Sequence, residues 1–166
     1  VVVRKARCAR PLRGNQRNGH VPVGSRGVWI GVGRCSANQP DLRVVGVIGV
    51  LKDELLAEGR RFDSDTDTEV VAQLLTALLE RGATPEQAMG KAMARLRGAF
   101  ALAFLFSGEN DLMIGARKGS PLAVGYGNGE MYLGSDAIAL APFTDTISYL
   151  EDGDWAVATR KGVQVY

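Results

Sequence analysis

From Leu51 to Leu96 apolar residues recur at helical spacing, and from Gly98 to Tyr166 they fall into short, strand-length runs. The chain therefore changes period once and in one direction, and a run of helices followed by a run of strands is the grammar of an α+β domain. LKDELLAEG places Leu51, Leu55 and Leu56 on one helical face and ends at Gly59, a natural C-terminal cap. A second helix starts where Thr66 and Glu69 stand in the S/T-x-x-E spacing of a capping box. Its stripe of Val70, Val71, Leu74, Leu75, Leu78 and Leu79 runs up to Gly82. Thr84, Pro85 and Gln87 repeat the start signal, so a third helix is expected to reach Leu96.

After Gly98, AFALAFLF is apolar on both faces, as in a strand buried between layers, while DLMIGAR, LAVGYG and EMYLGS are shorter runs bounded by Gly, Asn and Ser. Gly127-Asn128-Gly129 reads as a hairpin turn, because both residue types tolerate positive φ. Ser135 is expected to cap a short helix through Leu140 that Pro142 stops. TISYL, WAVATR and VQVY complete an antiparallel meander, with turns at Glu151-Asp152-Gly153-Asp154 and Lys161-Gly162. The chain holds no internal repeat.

The charge is divided. Residues 1–40 carry Arg4, Lys5, Arg7, Arg10, Arg13, Arg17, Arg26 and Arg34 and no acid, leaving 12 of the 20 cations against all 18 acids in the remainder. Residues 1–44 show neither helical period nor alternation, and are expected to be a basic, poorly ordered or aberrant segment ahead of a domain at 45–166. Clustered arginines suit nucleic acid through counterion release, but Trp29 is the sole aromatic among them, so binding through the basic arm is not favoured. Cys8 and Cys35 lack CxxC spacing, and with the single His20 they are too few soft ligands for zinc, so no metal site is expected. No apolar run approaches the roughly 18 residues of a membrane span. VVVRKARCARPLRG lacks a signal-peptide core. A cytoplasmic location is expected.

DSDTDTEVV, Asp63 to Val71, sets carboxylates at alternate positions, and three readings compete for it. A calcium loop starting at Asp63 would use Asp65 and Asp67, but it needs Gly and Glu where Thr68 and Leu74 stand. A helix cap explains Thr66, Asp67 and Glu69 by hydrogen bonding and the helix dipole. A carboxylate at a helix start can also grip a ligand ammonium group. Glu151, Asp152 and Asp154 are accounted for by their turn rather than by acid–base chemistry. Gly125 to Gly129 lacks the following helix that a phosphate loop needs.

The ordered blocks F-x-SDTDTEVVAQLL, RLRGAFALAFL, GARKGSPLAVGYG, YLGSDAIALAPFT and YLEDGD resemble the glutaminase domain of the glutamine–fructose-6-phosphate aminotransferases, over residues 51–166. KGSPL and SDAIAL favour that branch over other class II amidotransferases such as the amidophosphoribosyltransferases. The resemblance implies an N-terminal-nucleophile hydrolase-like four-layer α-β-β-α sandwich, here incomplete at its N-terminal side. It implies a glutaminase that frees ammonia for a sugar-isomerase domain, with no cofactor. By motif position, Asp67 would hold the α-amino group of glutamine, with Thr66 and Thr68 shaping the pocket loop.

The departures concern catalysis. The family begins Cys-Gly-Ile-Val-Gly and carries T-R-W-A-T-H-G and H-N-G blocks that supply a carboxylate clamp and an oxyanion hole. This chain begins Val-Val-Val and shows neither block, so no catalytic residue can be assigned and the polypeptide is expected to be an inactive remnant. The change near residue 45 is what a translation out of frame would produce. VPVGSRG can be encoded as GTCCCGGTGGGCTCACGGGGT, which one nucleotide on reads Ser-Arg-Trp-Ala-His-Gly. Loss of the front strands would leave an open, apolar sheet edge. The chain stops at Tyr166, before a sugar-isomerase domain could begin.

Overall fold

The computed structural model describes residues 2–4, 28–32 and 47–166. Three helices come first: α1 (Val47–Ala57), α2 (Asp67–Glu80) and α3 (Pro85–Arg95). Helix α1 starts ahead of Leu51 because Ile48 shares its buried face with Leu51 and Leu55. Leu56, expected on that face, is exposed. Helix α2 buries Val70, Val71, Leu74 and Leu75, while Leu78 and Leu79 pack partly buried beside them. Helix α3 has the full capping box: Gln87 N–H donates to Thr84 Oγ1 at 3.3 Å, and Thr84 N–H donates to Gln87 Oε1 at 3.2 Å. It stops at Leu96, as its sequence signals require.

The strands form two sheets rather than one meander. They are β1 (Val2–Arg4), β2 (Val28–Val32), β3 (Phe100–Phe106), β4 (Met113–Lys118), β5 (Ala123–Tyr126), β6 (Met131–Gly134), β7 (Thr146–Tyr149), β8 (Trp155–Thr159) and β9 (Gly162–Val165). One sheet has the order β1-β6-β5-β7 and the other β2-β3-β4-β8-β9, and every strand pair is antiparallel. After β4 the chain leaves one sheet, builds β5, β6 and β7 in the other, and returns to set β8 beside β4. Patterning showed each run as a strand but could not show which sheet it joins.

Two strands come from the segment before residue 45, where periodicity gave none. Val2 pairs with Gly134, and Val28 pairs with Phe106. The edges of β6 and β3 that would otherwise stand open are therefore occupied. Three- and five-residue strands are too short to show alternation, and their partners, Tyr132 to Gly134 and Leu102 to Phe106, lie far along the chain, so pairing rather than local pattern defines them. The rest of residues 1–46 lies outside the described part.

Alternation along the strands separates the layers. Leu102, Phe104 and Phe106 of β3, with Ile114, Ala116 and Val157, meet the helices α1 to α3. On the opposite face Ala103, Met113, Ala156 and Ala158 meet Val124 and Leu133 of the second sheet and Leu122 just ahead of β5. Outside that sheet, Ala123 and Tyr132 are covered by Leu140 of α4 (Ala137–Leu140). The architecture is thus helices, sheet, sheet and a helical layer reduced to one turn. Asp136, not Ser135, caps α4: its carboxylate accepts the Ala139 N–H at 2.7 Å, and the Ser135 hydroxyl donates to Asp136 instead. A carboxylate is the stronger acceptor, and one position along it reaches the right N–H.

Candidate functional site

The loop from Asp63 to Thr68 is organised by one buried acid. Glu69 is 1% exposed, and its carboxylate accepts three hydrogen bonds: from Asp63 N–H at 2.8 Å, Ser64 N–H at 2.7 Å and Ser64 Oγ–H at 2.6 Å. The capping box read from the sequence is therefore half formed. Thr66 Oγ1 accepts the Glu69 N–H at 3.3 Å, but the Glu69 side chain reaches past Thr66 into the loop. The Thr66 N–H that it would have served donates to Ser64 Oγ, also at 3.3 Å. Spacing alone cannot tell a returned cap from a longer reach, and the ring of donors in the loop decides between them.

The other carboxylates point to different tasks. Asp65 is fully exposed and pairs with Lys52 Nζ at 2.8 Å. That hydrogen bond, with the lysine's charge, holds the Asp65 carboxyl below its ordinary range. Lys52 also lies 5.3 Å from the centre of the Phe62 ring. Asp67 is the first residue of α2, exposed, with no hydrogen-bond or ion-pair partner among the described residues. Thr66 is the N-cap and Thr68 is half-buried in the first turn. Among the described residues no group of three metal-ligating side chains converges.

The GARKGSPL and EDGD blocks, separate in sequence, meet in space. Asp152 accepts from Arg117 Nη2 at 3.1 Å and from Gly119 N–H at 2.5 Å, while Arg117 Nη1 donates to the Leu150 carbonyl at 2.9 Å. Asp152 thus fastens the KGSPL loop, a task its turn position did not reveal. Asp154 closes the turn by accepting the Glu151 N–H at 2.8 Å. Ser120 N–H donates to the Lys118 carbonyl across the same loop at 2.7 Å. In the β5–β6 hairpin only Gly129 has positive φ, at 72°, and the Gly127 N–H donates to the Glu130 carbonyl at 2.9 Å.

Cys8, His20 and Cys35 lie outside the described residues, as does every cation of the basic arm except Arg4 in β1. Trp29 sits in β2 opposite Leu105. No described helix is long and apolar enough to cross a membrane.

A sequence profile described as a glutamine amidotransferase domain matches residues 49–142, more than half of the chain. A glutamine–fructose-6-phosphate aminotransferase (isomerizing) of Brucella abortus biovar 1 is 66% identical over 116 residues, covering 70% of this chain and 19% of its own. One from Bradyrhizobium diazoefficiens is 50% identical over 169 residues, covering 95% of this chain and 27% of its own. This chain thus spans about a fifth to a quarter of those relatives' length.

Among solved structures, the glutamine phosphoribosylpyrophosphate amidotransferase from B. subtilis, complexed with ADP and GMP, superposes with a TM-score of 0.64 at 21% identity. The match covers 93% of this chain and 30% of that one. A structure titled as the allosteric regulatory enzyme of purine biosynthesis gives 0.66 at 22% identity, over 86% of this chain and 28% of its own. At that identity the superposition speaks for the fold. Two antiparallel sheets with flanking helices agree with it, and the chain belongs to the glutamine amidotransferase domain family.

Proposed function

We propose that this chain is the glutamine-recognising part of a glutaminase domain of the glutamine–fructose-6-phosphate aminotransferase type, with Asp67 as the residue that takes the α-ammonium group of glutamine. The observation that carries the reading is the state of Asp67: an exposed carboxylate at the mouth of α2, beside a loop whose Asp63, Ser64 and Thr66 donors are engaged elsewhere. An ammonium group docking there forms a charge-assisted pair that the helix does not supply from within. Thr66 and Thr68 flank it and shape the loop.

The relatives' name makes glutamine the amino donor and fructose 6-phosphate the acceptor. The 66% identity of the Brucella abortus relative over 116 residues favours that branch over the amidophosphoribosyltransferases, which match at the level of fold. Hydrolysis of glutamine to glutamate and ammonia needs a nucleophile, and the described residues include no cysteine. The full reaction would also call on a sugar-isomerase domain beyond the residues present.

Glutamine titrated into the 166-residue chain and into Asp67→Asn tests the reading. The substitution keeps the shape and removes the charge, and binding is expected to weaken roughly tenfold or more. Equal binding by both proteins, or none by the wild type, overturns it. In the same samples ammonia release is expected not to exceed a heat-killed control.

A further inference from the structure

We propose that Glu69 is a positioning residue for glutamine recognition: by gathering the donors of the Asp63–Thr66 loop onto itself, it leaves the Asp67 carboxylate free for a ligand ammonium group. The inference rests on the reading of Asp67 given above and concerns how that residue is prepared.

A carboxylate withdrawn from water is tolerated only when its lone pairs are filled. Glu69 is 1% exposed, and it is filled by two backbone N–H groups and one hydroxyl. Proton accounting then orders the rest of the loop. The single hydroxyl proton of Ser64 goes to Glu69 at 2.6 Å, so in the 2.9 Å contact between Ser64 Oγ and Thr66 Oγ1 the threonine must donate. Ser64 Oγ is thereby left as an acceptor for Thr66 N–H, and Thr66 Oγ1 as the acceptor for Glu69 N–H.

Glu69, Ser64 and Thr66 therefore form a closed relay that occupies the Asp63, Ser64 and Thr66 donors of the loop ahead of Asp67. Of the two aspartates flanking the cap, Asp65 is neutralised by Lys52, and Asp67 remains unpartnered. Without Glu69, the N–H groups of Asp63 and Ser64 and the Ser64 hydroxyl would be released in the loop that leads into Asp67. Asp67 could then fold back on them as a local cap, a habit of aspartates at helix starts. Glu69 thus prevents self-capping at the ligand position.

Ligand discrimination tests this. L-Glutamine and glutaramate share the carboxamide and the carboxylate and differ by the α-amino group. Their affinities for the whole chain are measured by amide chemical-shift titration of Asp67 and Thr68. Wild type is expected to prefer glutamine roughly tenfold, and Asp67→Asn to lose the preference. Glu69→Gln, which puts an NH₂ in place of one of the two accepting oxygens, is expected to cut it to about a third or less while unfolding remains cooperative.

A purely structural Glu69 would lower the melting temperature and leave the preference of the folded molecules unchanged, and that result overturns the proposal. It is distinguishable from failure of the Asp67 reading, in which wild type itself shows no preference. Should Glu69→Gln fail to fold, Ser64→Ala carries the test. It breaks the relay with Glu69 in place, the same loss of preference is expected, and an unchanged preference overturns the proposal.

Discussion

Asp152 and Gly119 lie 33 residues apart and share a backbone-to-carboxylate hydrogen bond of 2.5 Å, with Arg117 on the same oxygen at 3.1 Å. Arg117 has its Nε buried without a partner, so Asp152 is what compensates a guanidinium already short of acceptors. Asp152→Ala is expected to destabilise by about 1–3 kcal/mol, the cost of leaving a partly buried donor group unpaired. At this chain length that amounts to roughly 2–4 °C of melting temperature per kcal/mol, readable by thermal unfolding.

Alanine at two glycines should separate flexible from rigid obstruction. At Gly115 a new Cβ would lie 2.8 Å from Leu133 Cδ1 and 3.1 Å from Leu122 Cδ2, both ends of side chains that can yield. At Gly119 it would lie 2.8 Å from Ala99 Cβ and 3.2 Å from its Cα, at a φ of 68°. Gly115→Ala is expected to cost about 1 kcal/mol and Gly119→Ala about 2–3 kcal/mol, since the second adds backbone strain to overpacking. Denaturant titration of the two variants checks the order.

The capping box of α3 is complete and solvent-facing, so it makes a clean test of cap strength. Thr84→Ala is expected to lose about 1 kcal/mol, and Gln87→Ala less, because only the first removes the side chain that binds the helix N–H. Glu69→Ala should cost more than either, about 3 kcal/mol, since three donors lose a charged acceptor in a dry site. Urea unfolding ranks the three.

Acid should break two surface pairs only below the ordinary carboxylate range. Asp65 is held low mainly by its hydrogen bond with Lys52, and Glu58 mainly by its hydrogen bond with Arg81, which lies 2.7 Å away. A folded-state value below the unfolded one gives a contribution that is present above the unfolded value. It is lost as pH falls through the folded one. For these groups that window opens below their ordinary values of 3.8 and 4.5. A carboxyl-detected titration of wild type should give Asp65 a midpoint under 3.8, and Lys52→Met should restore it.

Helices and strands were legible because their signals are local. Thr84, Pro85 and Gln87 mark the start of α3, and Leu102, Phe104 and Phe106 alternate with Ala101, Ala103 and Leu105 along one strand. What escaped depends on contacts between distant positions. Nothing near Asp152 announces Arg117, nothing in Val28 to Val32 announces β3, and S/T-x-x-E describes Glu69 without saying which N–H it will choose. At the candidate site, the family resemblance singled out Asp67 for the proposed contact, while the hydrogen bonding of Ser64 and Glu69 needed coordinates, because it follows from how one hydroxyl proton is shared.

Strand β3 is the party wall of the molecule: Leu102 and Phe104 belong to the room beneath the helices, Ala103 to the room between the sheets. A replacement on either side shifts a backbone that both rooms share. Repairs in one core are therefore audible in the other, and FALAFLF has fewer independent ways to drift than any single-sided strand in the sheet.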